Sequence, residues 1–317
     1  MDYVIGVPSG GPLAKPETMI ALARRIEELG FGYVGVGDHI VIPREVRSRY
    51  PYTETGEFLG GGPGEAFEQL TMLSFLAGQT STVRLLTTVT VLPHRSPVQT
   101  AKTVASLDVL SGGRLSLGVG VGWMREEFEV IGAPPYDERG AASNEYLEAF
   151  IELWTSDNPT YKGKYCEFSN IFFEPKPVQK PYPPIWVAGE SPPAIRRAAR
   201  FGNVWFPVGN NPRFPLLTRE QITEARDRLH RYAEEYGRDP SKLEMAYGAN
   251  WYDEKNAQQL PDGQRRTLTG SAEQIAGDIR ALEEVGVGYI WLFFGAPTLE
   301  GSIERMEYFA QQIRPLV

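Results

Sequence analysis

The sequence predicts an α/β fold, a (β/α)8 TIM barrel with insertions after strands 2 and 4, on three observations. Short apolar runs alternate with amphipathic segments from one end of the 317 residues to the other. Eight runs have strand character, and parallel neighbours need a helical crossover between them. The length suits one barrel with insertions, so residues 1–317 form a single domain. A doubly wound open sheet is the second architecture this alternation permits.

The predicted strands are Tyr3–Val7, Tyr33–Gly37, Arg84–Leu92, Arg114–Val121, Ile185–Ala188, Asn203–Val208, Leu243–Tyr247 and Tyr289–Phe294. In the first helix Met19, Ile20, Ala23, Ile26 and Leu29 line one face, and Gly30 is the stop. A later helix opens at Ser271 with Gln274 three residues on, a capping box, and runs through Ile275, Ile279 and Leu282 to Gly286. Two connections exceed simple loops. Residues 40–67 are rich in Pro, Gly, Tyr and Arg and end in Gly60-Gly61-Gly62-Pro63-Gly64. Residues 155–184 predict a hairpin, Tyr161–Phe168 turning at Ser169-Asn170 into Ile171–Phe173, then a proline-rich return. Both are expected to wall a substrate pocket.

The fourth strand carries the most specific local signal. Leu115, Leu117, Val119 and Val121 share one face, while Gly118, Gly120 and Gly122 leave the other bare. Glycine in a strand marks a close approach by a flat ligand or by another part of the chain. The row is not a dinucleotide fingerprint, because Trp123 and Arg125 stand where glycine is needed.

Composition narrows the class. The net charge of -8 and the lack of a basic stripe argue against nucleic-acid binding. The single cysteine, Cys166, excludes an intrachain disulfide and fits a reducing compartment. No signal-peptide pattern or membrane-length apolar run is present, so the expectation is a cytoplasmic protein. No metal-dependent histidine set, nucleophile elbow or Walker loop is present either.

Barrel chemistry sits at the C-terminal ends of strands. At the second such end His39 follows a buried strand, and its acidic neighbour Asp38 is placed to fix its tautomer. His94 ends the third strand and either lines a pocket or makes a structural hydrogen bond; His230 lies in a charged helix. Thr87, Thr88 and Thr90 offer hydroxyls on the third strand. In the fifth unit, Ala188-Gly189-Glu190-Ser191 leads into a helix with Pro192 at its first position, a turn that frees amides for an anion. Glu190 suits sugar-like hydroxyls better than phosphate. Such equipment favours gripping a flat cofactor over unaided hydrolysis.

These residues resemble the luciferase-like oxidoreductase superfamily over nearly the whole chain. The resemblance runs through Gly37-Asp38-His39, Leu85–Leu92 with Pro97 and Ala101-Lys102, Leu107–Arg114, Gly118–Trp123 with Glu127-Phe128, Pro175–Gln179 and Gly189–Ser191. Gly122-Trp123, Glu127-Phe128 and Gly132 most resemble the single-component branch that uses the deazaflavin F420. The resemblance implies a tricyclic ring at the barrel mouth, resting on a third-strand bulge with a non-prolyl cis peptide at Thr88-Val89. It implies that Gly120 and Gly122 let the cofactor chain approach, and that Ala188, Gly189, Glu190 and Ser191 receive its phosphate and ribityl end. His39 would then be the proton donor or acceptor, and Asp38 beside it is counted with Thr88 and Val89 among the cofactor-binding residues. A homodimer and a small-molecule substrate are implied as well.

Departures limit the carry-over. Trp123 stands where the sugar-phosphate dehydrogenase of this group has a catalytic glutamate, and Ile42-Pro43 where it has a tryptophan. Val121 stands where luciferase has a phosphate-gripping arginine. Arg44, Arg47 and Arg49 are candidates for a deazaflavin's polyglutamate tail. Three functions follow: an F420-dependent oxidoreductase, an FMN-dependent monooxygenase served by a separate reductase, and a non-catalytic flavin-binding relative.

Overall fold

The computed structural model describes residues 1–58, 66–260 and 262–317; the predicted Gly60–Gly64 run lies outside the described residues. In chain order come β1 (Asp2–Val7), α1 (Pro16–Glu28), β2 (Tyr33–Val36), α2 (Gln69–Ala77), β3 (Arg84–Thr87), β4 (Thr90–Val91), α3 (Pro97–Leu110), β5 (Leu115–Gly120), α4 (Arg125–Ile131) and α5 (Arg139–Thr155). There follow β6 (Tyr161–Lys162), β7 (Glu167–Phe168), β8 (Ile185–Ala188), α6 (Pro192–Phe201), β9 (Val204–Phe206), α7 (Arg219–Glu235), β10 (Glu244–Ala249), α8 (Ala272–Glu284), β11 (Val287–Leu292) and α9 (Leu299–Tyr308). The main sheet runs β3-β2-β1-β11-β10-β9-β8-β5-β4, and a further pairing of β3 with β5 closes it. All its pairings are parallel. The open sheet is thereby excluded, and the chain is a closed (β/α)8 barrel.

All eight predicted strands are present, with two departures. The third is broken: β3 ends at Thr87, the Thr88-Val89 peptide is cis as the resemblance implied, and pairing resumes in β4. The hairpin is also corrected. Tyr161 pairs with Phe168 and Lys162 with Glu167, so the turn lies at 163–166 rather than at Ser169-Asn170. Glu145 of α5 decides this, since its carboxylate accepts from the amides of Lys164, Tyr165 and Cys166. The capping box at Ser271 and Gln274 forms in both directions, and Gly30 ends α1 at φ 70°.

Two cores result from strand alternation. Tyr3, Ile5, Val34, Leu85, Leu115, Leu117 and Val119 face outward into the layer beneath the helices. Inside the barrel, Val4, Tyr33, Leu86, Trp186, Val204, Phe206 and Ala246 pack together. The Trp186 ring lies 5.3 Å from Tyr33, 4.7 Å from Tyr289 and 5.9 Å from Phe206, an aromatic plug. Toward the C-terminal ends the same inward phase places Gly6, Gly37, Gly120, Ala188 and Gly248. Small residues at five strand ends mark the mouth above the filled barrel, although Phe293, Val89 and Val208 already approach Gly6, Gly120 and Gly248.

The second insertion does not wall that mouth. Residues 155–184 follow a helix, so they return to the N-terminal end of the barrel. There Gln179 binds Asp108 of α3, the Leu115 carbonyl and Arg84. The described part of the first insertion, residues 40–58, does reach it.

Candidate active site

A cavity of about 250 Å³ opens beside the end of β2. Gly37, Asp38, His39, Thr88, Val89 and Gly122 line it, with Tyr50, Tyr52 and Phe58 from the first insertion and His94, Trp123, Met124 and Glu127. The structure therefore brings five predicted site residues together: Asp38, His39, Thr88, Val89 and Gly122.

The glycine row behaves differently from expectation. A Cβ on Gly118 would stand 2.0 Å from the Thr87 carbonyl oxygen, one on Gly120 2.7 Å from Val89 Cγ2, and one on Gly122 2.6 Å from Phe128. Those positions are not bare, because the chain's own third strand and α4 fill them. Gly37 is the open one, with Ser9 Oγ at 4.0 Å the nearest atom. The glycines thus admit the third-strand break against β5, and the remaining space lies beside the break.

His39 is not held by Asp38. Its Nδ1 lies 2.8 Å from Glu127 Oε2, and Glu127 Oε1 accepts from the Ile40 and Val41 amides at 2.7 and 3.2 Å. Asp38 instead takes two hydrogen bonds from Arg95, at 2.7 and 2.8 Å, and one from the Val91 amide at 2.9 Å. It ties β2 to β4, a buried bidentate pair that fixes the rim. Glu127 is fully buried, and burial favours its neutral form. The hydrogen bond with His39, attraction to the His39 and His94 rings when they are protonated, and the Ile40 amide outweigh this and hold its carboxyl below the usual range. His94 is buried against Phe128 with neither ring nitrogen bonded, and burial pushes it down toward the neutral form.

The neighbouring Glu126 accepts from the Arg47 and Ser48 amides and from the Ser48 hydroxyl. Two adjacent carboxylates on α4 thereby pin the first insertion across the mouth as a strap. Beyond that anchor, Tyr50, Phe58 and Trp123 form an aromatic wall, with ring centroids 5.1–5.2 Å apart and Phe58 5.3 Å from His39.

The predicted phosphate seat does not line the cavity, although its Glu190 reaches the cavity wall at Tyr52. Ser191 is the N-cap of α6 as expected, yet Pro192 and Pro193 remove the first two helical N–H donors. The Glu190 carboxylate turns to the Val208 amide at 2.7 Å and Asn211 Nδ2 at 2.8 Å, and it also meets Tyr52 of the strap. Ala188 and Gly189 border this turn, with the Gly189 carbonyl taken by Trp205 Nε1 at 2.9 Å. Burial pushes the Glu190 carboxyl up to about 7 despite these partners. A folded-state value above the ordinary 4.5 gives a contribution to stability that is full below pH 4.5 and lost as pH rises through about 7. Between pH 5 and 8, Glu190→Gln should therefore gain stability relative to wild type, by up to about 3 kcal/mol. Urea denaturation at both pH values checks this; a constant difference would place the titration elsewhere.

Sequence reasoning missed Glu127 as the partner of His39, because the two are 88 residues apart. Glu127-Phe128 appeared only as part of a pattern. Tyr50, Tyr52, Phe58 and Trp123 were equally hidden among aromatic loop residues.

Among the described residues no cluster of three or more His, Cys, Asp and Glu is placed to hold a metal, and no helix is long and apolar enough to cross a membrane. The FMNH2-dependent dimethylsulfone monooxygenase of Pseudomonas putida is 29% identical over 304 residues, covering 81% of this chain and 80% of that protein. In structure the chain is similar to the monooxygenase RslO1 of Streptomyces bottropensis, with TM-score 0.76, 24% identity and 99% coverage of both chains. It is likewise similar to an F420-dependent secondary alcohol dehydrogenase solved with an F420–acetone adduct, with TM-score 0.77, 20% identity and full coverage of both. The sequence profile of the luciferase-like monooxygenase family matches residues 4–261, and the chain belongs to that family.

Proposed function

We propose that this chain is an oxidoreductase that uses F420 for hydride transfer to or from a small organic substrate, with His39 handling the proton. The observation that carries this reading is an imidazole anchored by a buried carboxylate at the edge of a cavity bounded by the third-strand break. When bound, the coenzyme supplies a ring carbon that gives or takes a hydride. Glu127 occupies Nδ1 of His39, so Nε2 is the nitrogen left to exchange a proton with substrate. Phe58 and Trp123, with Tyr50 packed on both, flank that imidazole, which stays partly exposed.

The residues present fit the reacting end of such a group. Thr88, Val89 and Gly37 border the space, and Gly37 leaves one side open. About 250 Å³ is below the ~300–1,000 Å³ of sites that enclose whole ligands, so the tail belongs outside the cavity. Exposed Arg44, Arg47 and Arg49 on the strap suit a polyanionic tail, and the missing phosphate-gripping arginine at Val121 weighs against a flavin mononucleotide.

A monooxygenase using reduced FMN from a separate reductase is the second reading, favoured by the identity with the dimethylsulfone enzyme. Titrating the ligand-free protein with F420 and with FMN, followed by fluorescence, separates the two. F420 is expected to bind at least about tenfold tighter, a preference of about 1.4 kcal/mol. Selective tight binding of FMN would reverse the order.

A further inference from the structure

We propose that Glu127 is a positioning residue whose carboxylate dictates which ring nitrogen of His39 carries the hydrogen. The inference rests on the reading of His39 as the proton-handling group. Glu127 commits its two oxygens to different partners: Oε1 to the Ile40 and Val41 amides, Oε2 to His39 Nδ1 at 2.8 Å. Backbone amides only donate, and an ionised carboxylate only accepts. Nδ1 must therefore be the N–H of the neutral ring, and Nε2 its bare nitrogen. The surrounding charged and titratable groups are otherwise engaged. Arg95 pairs with Asp38 and Glu68, and Glu126 holds Arg47 and Ser48 of the strap. Tyr50 is held toward its neutral form by burial, as is His94, whose Nδ1 lies 3.8 Å from Glu127 Oε1. Among the described residues the His39 ring makes its hydrogen bond to Glu127 alone.

Substituting the amide isostere gives an asymmetric test. In Glu127→Gln the side-chain oxygen must stay on the two backbone N–H groups, since the NH2 would set donor against donor there. The NH2 then faces Nδ1, which must accept, and the ring hydrogen moves to Nε2. Side-chain shape is kept while the tautomer inverts.

Nitrogen-15 NMR of the imidazoles in the ligand-free full chain, above pH 8, reads this directly. The expected result is Nδ1–H in wild type and Nε2–H in Glu127→Gln. Turnover with the coenzyme selected by titration should fall at least about 100-fold, with KM within about threefold. A wild-type ring already protonated on Nε2, or an unchanged tautomer in the variant, overturns the inference. The wild-type spectrum alone decides this if the variant fails to fold. An inverted tautomer with undiminished turnover would sustain the role of Glu127 and overturn that of His39, so the two failures are distinguishable.

Discussion

Gly118→Ala is expected to abolish the stable fold. A Cβ at this position would lie 2.0 Å from the Thr87 carbonyl oxygen, a backbone atom, and 3.2 Å from its carbon. Thr87 cannot retreat, because its hydroxyl donates to the Gly118 carbonyl at 2.6 Å and its strand pairs with β2. Overpacking a core usually costs about 1–3 kcal/mol when side chains can shift. Here backbone must move at the strand junction that closes the barrel, so the cost should exceed about 4 kcal/mol. The neighbouring positions provide an internal scale. Gly120→Ala meets the end of the Val89 side chain and should cost less, while Gly37→Ala, with only Ser9 Oγ at 4.0 Å, should leave Tm nearly unchanged. Soluble yield and thermal melts of the three variants check this order. Equal behaviour of Gly118 and Gly37 would show that β5 does not press on the third-strand break.

His39→Asn should lower kcat by about 100- to 10,000-fold, the usual range for losing a positioned acid or base. The asparagine NH2 can replace Nδ1–H as the donor to Glu127, so the strap anchor at Ile40 and Val41 should survive. What disappears is the titratable nitrogen beside the cavity. Coenzyme affinity should stay within about threefold, since the coenzyme does not depend on that proton for binding. Stopped-flow hydride transfer together with the fluorescence titration separates the two quantities. Unimpaired transfer would remove His39 from the chemistry while leaving the cavity in place.

Much of the architecture was legible because strand and helix periodicity are local properties of the chain. The inward phase of Val4, Tyr33 and Trp186 follows from alternation, and the capping box at Ser271 from residues three apart. The candidate site was less legible. Asp38 and His39 were placed at the correct strand end, yet their partners are Arg95 and Glu127, 57 and 88 positions away. The hairpin turn moved to 163–166 because Glu145, on the preceding helix, collects three amides there. The Glu190 turn looked like an anion seat by its own sequence, but its carboxylate is consumed by Val208, Asn211 and Tyr52.

The sequence by itself determined the repeating strand–helix order, the barrel, the family and the position of His39 at a strand end. Only the tertiary structure decided what each polar group faces: glycines filled by the third strand, a strap over the mouth, and a buried glutamate holding the imidazole. Hydrophobic periodicity is written into neighbouring residues, whereas hydrogen-bond partners of buried groups are chosen among every segment that folding brings within about 3 Å.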